Sequence, residues 1–178
     1  MKLTNALIII LFIACIYSCH QSTKNLDGSI PDAAKQQSEI NSMLDSFNAA
    51  AANADYKTYF NFFTDSAIFT GTDATERWDK KEFMVWAKPY FDKKNTWHFT
   101  ALQRHIYIGP TGTYAWFDEL LNTQMKICRG SGVLVKQRDD WKIVQYILST
   151  TIPNELLDSV TKIKAPIEDK IIKGPTNK

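Results

Sequence analysis

Apolar positions in the C-terminal half of the chain fall into short runs, separated by glycines or by short polar segments. Three such runs, Trp116–Leu121, Arg129–Val135 and Trp141–Leu148, predict successive strands joined by hairpin-length connections. A longer run from about Thr96 to Ile108 predicts a strand before them, and residues 109–112 supply the turn between. The pattern therefore predicts an antiparallel meander of four strands.

Apolar residues at helical spacing dominate the part of the chain before this meander. The first predicted helix runs from Ala33 to about Ala54. Asp55 begins a second, short helix, and Asp79 with Glu82 has the spacing of a capping box that begins a third. A short strand is predicted between the second and third helices. Helices followed by strands predict an α+β fold.

The N-terminus has the pattern of a secretion signal. Lys2 precedes an uncharged, mostly apolar run of 13 residues, Ala6–Ser18, which is shorter than the roughly 20 residues of a spanning helix. The run ends in Ile16-Tyr17-Ser18-Cys19, which resembles the lipobox of bacterial lipoproteins. This resemblance implies cleavage before Cys19 and its acylation, which would anchor the protein to a lipid bilayer of the bacterial cell envelope, facing the periplasm or the exterior. Ordinary signal cleavage and an uncleaved anchor are the alternatives.

The chain is therefore divided into four parts. Residues 1–18 form the lipoprotein signal peptide, and residues 19–32, rich in Ser, Asn, Gly and Pro, form a flexible tether. Residues 33–152 form one domain of ordinary size. Residues 153–178 form a helical turn or two that Asn154 can cap, and then a tail that is expected to fray from Lys164.

Composition and spacing exclude several classes of function. Lys and Arg total 21 against 19 Asp and Glu, and no basic stripe indicates nucleic acid binding. Cys128 alone remains inside the domain, so it cannot form an internal disulfide and is expected to be a packing residue. His98 and His105 lie seven residues apart on one predicted strand and face opposite sides, so no metal site is expected. The sequence indicates no cofactor.

The order of elements and three strand motifs resemble a known family. A Trp-x-Asp strand at 116–118 is followed by Arg-Gly-Ser-Gly-Val-Leu at 129–134 and Trp-Lys-Ile-Val at 141–144. Together they resemble the nuclear-transport-factor-2-like superfamily, in its SnoaL-like branch, over Ala33 to Thr151. The resemblance implies a cone-shaped, curved antiparallel sheet wrapped around three N-terminal helices, with a pocket for a small molecule inside the cone. The family includes isomerases, dehydratases, cyclases and non-catalytic modules, so the fold does not give the activity.

Strand parity restricts the candidate catalytic residues. Side chains alternate between the two faces of a strand, so only one of Asp118 and Glu119 can point inward. The Trp-x-Asp pattern selects Asp118, whose pKa would be raised by desolvation, as a general acid or base. The alternative is a structural ion pair between Asp118 and Arg129.

Five residues are candidates for ligand binding. Trp78 is predicted to lie at the mouth of the pocket because it stands in a loop before a helix, and Arg129 has the planar fork that recognises a carboxylate. The other three candidates are His98, Trp116 and Tyr146. A core role is the alternative for the aromatic residues, a surface role for Arg129, and a hydrogen-bonded, partly buried position for His98.

Both faces of the last predicted strand are apolar. Trp141, Ile143 and Ile147 would share one face, and Val144, Tyr146 and Leu148 the other. The convex face of the sheet therefore needs a cover, and a homodimer through that face is the economical prediction. The C-terminal segment folding back over the sheet is the alternative.

Three functions are consistent with these patterns. The first is a lipid-anchored module that binds a small apolar or aromatic ligand. The second is an isomerase, dehydratase or hydrolase with Asp118 as proton carrier; ketosteroid isomerases of this superfamily also use a Tyr in their oxyanion hole, and the first helix here contains no Tyr. The third is a non-catalytic protein-interaction module.

Overall fold

The structure is a computed structural model and describes residues 33–174. The helices are α1 (Ala33–Ala52), α2 (Tyr56–Asn61), α3 (Lys80–Asp92) and α4 (Leu157–Ile172), with a short 3-10 turn at Asn154–Leu156. The strands are β1 (Phe63–Thr70), β2 (Arg77–Asp79), β3 (Thr100–Ile108), β4 (Tyr114–Thr123), β5 (Lys126–Gln137) and β6 (Asp140–Thr150). The predicted signal peptide, Cys19 and the tether lie outside the described residues. Within residues 33–174, no helix is long and apolar enough to cross a membrane.

The six strands form one sheet in the order β2-β1-β6-β5-β4-β3. Neighbouring strands are antiparallel except for β1 and β6, which run parallel. The predicted α+β fold, a curved sheet with N-terminal helices, is confirmed. The sequence pattern missed β2, which is three residues long and pairs Trp78 with Phe69 of β1.

The connection from α1 to α2 is closed by local hydrogen bonds. Ala54 adopts a left-handed backbone with φ of 54°, and the amide of Asp55 donates to the Ala50 carbonyl at 2.8 Å. This bond satisfies a carbonyl at the end of α1. The Asp55 carboxylate then accepts from the Thr58 amide at 3.0 Å and caps the second helix, as predicted. One residue thus ends the first helix and begins the second.

A capping box fixes the start of α3. The Asp79 carboxylate accepts from the Glu82 amide at 2.9 Å, and the Glu82 carboxylate accepts from the Asp79 amide at 3.0 Å. Such caps typically contribute about 1 kcal/mol, and this prediction is confirmed. The helix it begins places Phe83 against Phe69 of β1, with ring centroids 4.0 Å apart.

A bulge in β6 changes which side chains face the core. Ile143 pairs with Leu134, whereas Gln145 pairs with Val133, so Val144 is the extra residue. The predicted division of this strand into two apolar faces is wrong, because the bulge reverses the alternation. The residues that are buried on the inner face are Trp141, Ile143, Tyr146 and Leu148. The outer face of β6 therefore carries fewer apolar side chains than the predicted alternation indicated.

The C-terminal helix is longer than the sequence pattern indicated. α4 continues to Ile172, where a frayed tail was expected from Lys164, and none of its residues is buried. Ile163 and Ile167 are 75% and 67% exposed. α4 therefore does not fold back to cover the sheet.

Candidate functional site

The alternation of side chains along β4 places Glu119, and not Asp118, inside the domain. Glu119 is 1% exposed and lies on the same face as the buried Phe117 and Leu121. The side chain of Asp118 is 49% exposed on the opposite face, where its Oδ1 lies 3.1 Å from Nδ1 of His105. The predicted inward orientation of Asp118 is wrong, because the large apolar residues of β4 share the parity of Glu119 and fill the core.

The alternative pairing of Asp118 with Arg129 is not formed either. Asp118 lies opposite Ser131 on β5, whereas Arg129 lies opposite Leu120. Arg129 is exposed on the outer face of the sheet.

Glu119 is held in a buried hydrogen-bonded network. Arg104 of β3 lies opposite it, and its Nε donates to Glu119 Oε2 at 2.8 Å. The hydroxyl of Tyr146 donates to Glu119 Oε1 at 3.1 Å. Arg104 also reaches α1, where its Nη1 donates to Asp45 Oδ1 at 2.9 Å and Asn41 Oδ1 at 2.8 Å. No sequence pattern indicates this network, because the strand register alone brings Arg104 and Glu119 together.

Burial and ion pairing have opposite effects on the pKa values of Glu119 and Arg104. Burial raises the pKa of Glu119, and the neighbouring Arg104 offsets part of that rise. Burial lowers the pKa of Arg104, but the Glu119 and Asp45 carboxylates outweigh this effect and raise it, so the guanidinium stays charged. Burial raises the pKa of Tyr146 well above 10, so its hydroxyl stays a neutral donor. Both oxygens of Glu119 are thus engaged by residues of the fold.

Gly130 provides the space that this network needs. It lies opposite Glu119 on β5. A Cβ at this position would stand 2.5 Å from the Tyr146 hydroxyl oxygen and 3.0 Å from Glu119 Oε1. Gly130 is therefore a point of close approach between β5 and the side chains of Tyr146 and Glu119.

A separate cavity lies between β1, β2, α3 and the β4–β5 turn. Its volume is about 160 Å³. Six aromatic side chains dominate its wall, with few polar groups beside them. The lining residues are Phe69, Gly71, Thr72, Glu76, Trp78, Phe83, Trp86, Trp97, Phe99, Gln124, Met125 and Leu148.

Phe69 separates this cavity from the buried network. Its ring stacks on Phe83 on one side and on Tyr146 at 5.6 Å on the other. Glu119 and Arg104 do not line the cavity. The hollow, semi-polar interior that the family resemblance implied is therefore divided into a closed polar network and a small aromatic cavity.

The predicted ligand-binding residues are dispersed over the domain. Trp78 lines the cavity, as expected, although it stands in β2 and not in a loop. Tyr146 does not line the cavity, but its ring stacks on Phe69, which does. Trp116 is 44% exposed on the outer face, as Arg129 is.

The fifth candidate, His98, is exposed and does not line the cavity. It lies in the segment before β3, which begins at Thr100 and not at Thr96. Its neighbours Trp97 and Phe99 line the cavity instead. Among residues 33–174, no group of three His, Cys, Asp or Glu side chains is placed to hold a metal ion.

Sequence reasoning missed most of the cavity wall. Trp86 has the helical spacing of a core residue, yet it is 37% exposed and lines the cavity. Glu76 and Gln124 were given no role, because no motif contains them. Their shared position becomes apparent only when the loop after β1 meets the β4–β5 turn.

The comparisons with known proteins agree with this architecture. The model of the SnoaL-like domain family matches residues 40–153. The chain belongs to this family. No curated protein matches the chain.

Solved structures that resemble this SnoaL-like domain share its fold at low sequence identity. An NTF2-like protein of unknown function from Pseudomonas putida KT2440 has 13% identity and a TM-score of 0.59, covering 69% of this chain and 92% of its own. A putative aromatic ring hydroxylase from Novosphingobium aromaticivorans has 11% identity and a TM-score of 0.59, covering 67% and 92%. The association domain of C. elegans CaMKII has 21% identity and a TM-score of 0.55, covering 66% and 97%. These likenesses show the fold alone.

The buried ion pair leads to the first testable prediction. Glu119→Leu leaves the Arg104 guanidinium buried without its main partner, so we expect a loss of about 3–5 kcal/mol in the free energy of unfolding. The double variant Arg104→Leu with Glu119→Leu should recover most of this loss, because no buried charge remains. Urea unfolding followed by circular dichroism measures both. Asp118→Asn, on the outer face, is the matched control and should change stability by less than about 0.5 kcal/mol. A double variant as unstable as Glu119→Leu alone would contradict the ion-pair role.

Proposed function

We propose that the protein is a lipid-anchored cell-envelope protein whose SnoaL-like domain binds a small apolar or aromatic ligand in the aromatic cavity. The observation that carries this proposal is the wall of the cavity, in which six aromatic side chains surround a space of about 160 Å³. An apolar cavity of about 150 Å³ is large enough to bind benzene. A single-ring ligand therefore fits, and a larger one would extend past the cavity mouth.

The positions of the two β4 carboxylates, Asp118 and Glu119, favour binding over the catalysis assigned to Asp118. The enzymatic alternative assigned proton transfer to Asp118, which lies on the outer face of the sheet and away from the cavity. Glu119 is buried, but both of its oxygens accept hydrogen bonds from Arg104 and Tyr146. Neither carboxylate can reach a ligand in the aromatic cavity.

Ligand binding is tested by removing one aromatic side chain, that of Trp86, from the wall of the cavity. In the mature chain, residues 19–178 produced without lipid, we expect Trp86→Ala to weaken the binding of toluene about tenfold, because a stacked ring and its buried area are lost. The Trp indole N–H resonances in an NMR titration measure the affinity. Trp116→Ala, on the outer face, is the matched control and should bind as the unaltered chain does. Equal weakening by both substitutions, or by neither, argues against this cavity.

The lipid anchor is proposed from the sequence alone. The apolar run Ala6–Ser18 followed by Cys19 supports it, and more than one acyl chain gives stable anchoring to a bilayer. When bacteria produce the full chain, we expect labelled palmitate to be incorporated and the protein to sediment with membranes. Cys19→Ala should abolish both. Cys128→Ala is the control, and a label that persists in Cys19→Ala would exclude acylation at Cys19.

A second copy of the chain is the partner we propose for the outer face of the sheet. Three exposed aromatic residues, Tyr107, Tyr114 and Trp116, lie together there, with the rings of Tyr107 and Trp116 stacked at 5.6 Å. We expect the mature chain without lipid to sediment as a dimer at micromolar concentration. Trp116→Glu should convert it to a monomer, because a charge would then lie in the apolar contact. The control Val85→Glu changes an exposed residue of α3. A monomeric unaltered chain would refute the dimer.

A further inference from the structure

Five of the six aromatic rings that line the cavity are nearly parallel to the other lining rings that they contact. The planes of Phe69, Trp78, Phe83, Trp86 and Trp97 differ by only 13° to 34° in the pairs that contact each other. A cage for a compact cation would instead present ring faces from several directions. Parallel rings favour a flat ligand, which stacks on them with its own plane aligned.

Among the described residues that line the cavity, the one with an acidic or basic side chain is Glu76. The other lining residues that carry polar side chains, Thr72 and Gln124, are neutral. Arg77, which follows Glu76, and His98, which lies between two lining residues, are exposed and do not line the cavity. The charge that a ligand meets at the wall is therefore negative.

Local hydrogen bonds hold Glu76 at this position. Its Oε2 accepts from the Asp73 amide at 3.2 Å, and its carbonyl accepts from the Gly71 amide at 2.9 Å. Gly71 lies so close that a Cβ there would stand 2.2 Å from Oε2. Among the described residues, no hydrogen-bond partner occupies Oε1, so one carboxylate oxygen remains to accept from a ligand.

The rings and the carboxylate favour the same ligand charge. The face of an aromatic ring carries negative potential, and attraction to a cation ranges from about 0.5–1 kcal/mol at exposed sites to about 2 kcal/mol when water is excluded. A hydrogen bond to a carboxylate is strongest when the donor is charged. An anionic ring is disfavoured by both groups.

We propose that the cavity selects a flat, single-ring ligand that carries a positive charge or an N–H donor, as a pyridinium or a protonated aromatic amine does. The ring stacks on the Trp and Phe side chains, and its cationic edge lies against Glu76. This inference rests on the proposed ligand-binding function and adds the chemical class of the ligand to it.

Three single-ring probes of similar size and different charge test the proposal: N-methylpyridinium, toluene and benzoate. They are titrated into the mature chain and followed by the Trp indole N–H resonances. We expect N-methylpyridinium to bind at least about tenfold more tightly than benzoate. Glu76→Gln keeps the size of the side chain. Because N-methylpyridinium carries a charge but no N–H, this substitution should weaken it about fivefold through the loss of Coulombic attraction alone, while toluene changes less than about twofold. Added salt should weaken the cation in the unaltered chain and have little effect in Glu76→Gln.

Two further variants separate charge from structure. Glu155→Gln removes an exposed glutamate that does not line the cavity, and it should leave all three affinities unchanged. Gln124→Lys places a positive charge at the cavity wall without altering the Glu76 loop, and it should weaken the cation but not toluene. If Glu76→Gln does not fold, Gln124→Lys tests charge selection by itself.

The outcomes distinguish this inference from the proposed function. If toluene binds and the affinity for N-methylpyridinium is the same in the unaltered chain, in Glu76→Gln and in Gln124→Lys, charge selection is refuted and ligand binding stands. If Glu76→Gln weakens toluene and the cation equally, the carboxylate supports the loop and does not select the ligand. If none of the three probes binds, the proposed ligand site is itself refuted.

Discussion

The entry of one carboxylate into the core is the constraint on which the rest of the structure depends. β4 must bury Phe117 and Leu121, and strand alternation then carries Glu119 inward with them. A buried carboxylate requires a partner, which the fold supplies as Arg104 on the adjacent strand and the hydroxyl of Tyr146. Gly130 is required opposite, because any side chain there would displace that hydroxyl.

A layer of aromatic rings separates this polar network from the cavity. Phe69 stacks on Tyr146 on one side and on Phe83 on the other, so ring packing closes the interior. The two parts of the domain can therefore serve different purposes. The charged network fixes the register of the sheet and ties it to α1, while the aromatic layer leaves a small apolar space.

Local features were the part of the fold that could be predicted. The capping box of Asp79 and the shared role of Asp55 depend on hydrogen bonds within a few residues, and both are present. The same reasoning failed where irregular or very short strand pairing decided the outcome, although the four-strand antiparallel meander was predicted correctly. The bulge at Val144 reversed the faces of β6, and β2 is too short to give a pattern of its own. The candidate site residues are dispersed because the sequence pattern did not show which face of the sheet each strand turns inward. Asp118 and Trp116 share the outer face of β4, where an inward position was expected for Asp118.

The sequence by itself determined the order of the elements, their caps and the family to which the domain belongs. These properties depend on periodicity and on short-range hydrogen bonds, which residue order specifies directly. Only the tertiary structure decided that Glu119 enters the core, that Asp118 pairs with His105 outside, and that Glu76 and three tryptophans share a cavity. The physical reason is that strand register and bulges place residues far apart in sequence within a few ångströms of each other, and no local pattern records that placement.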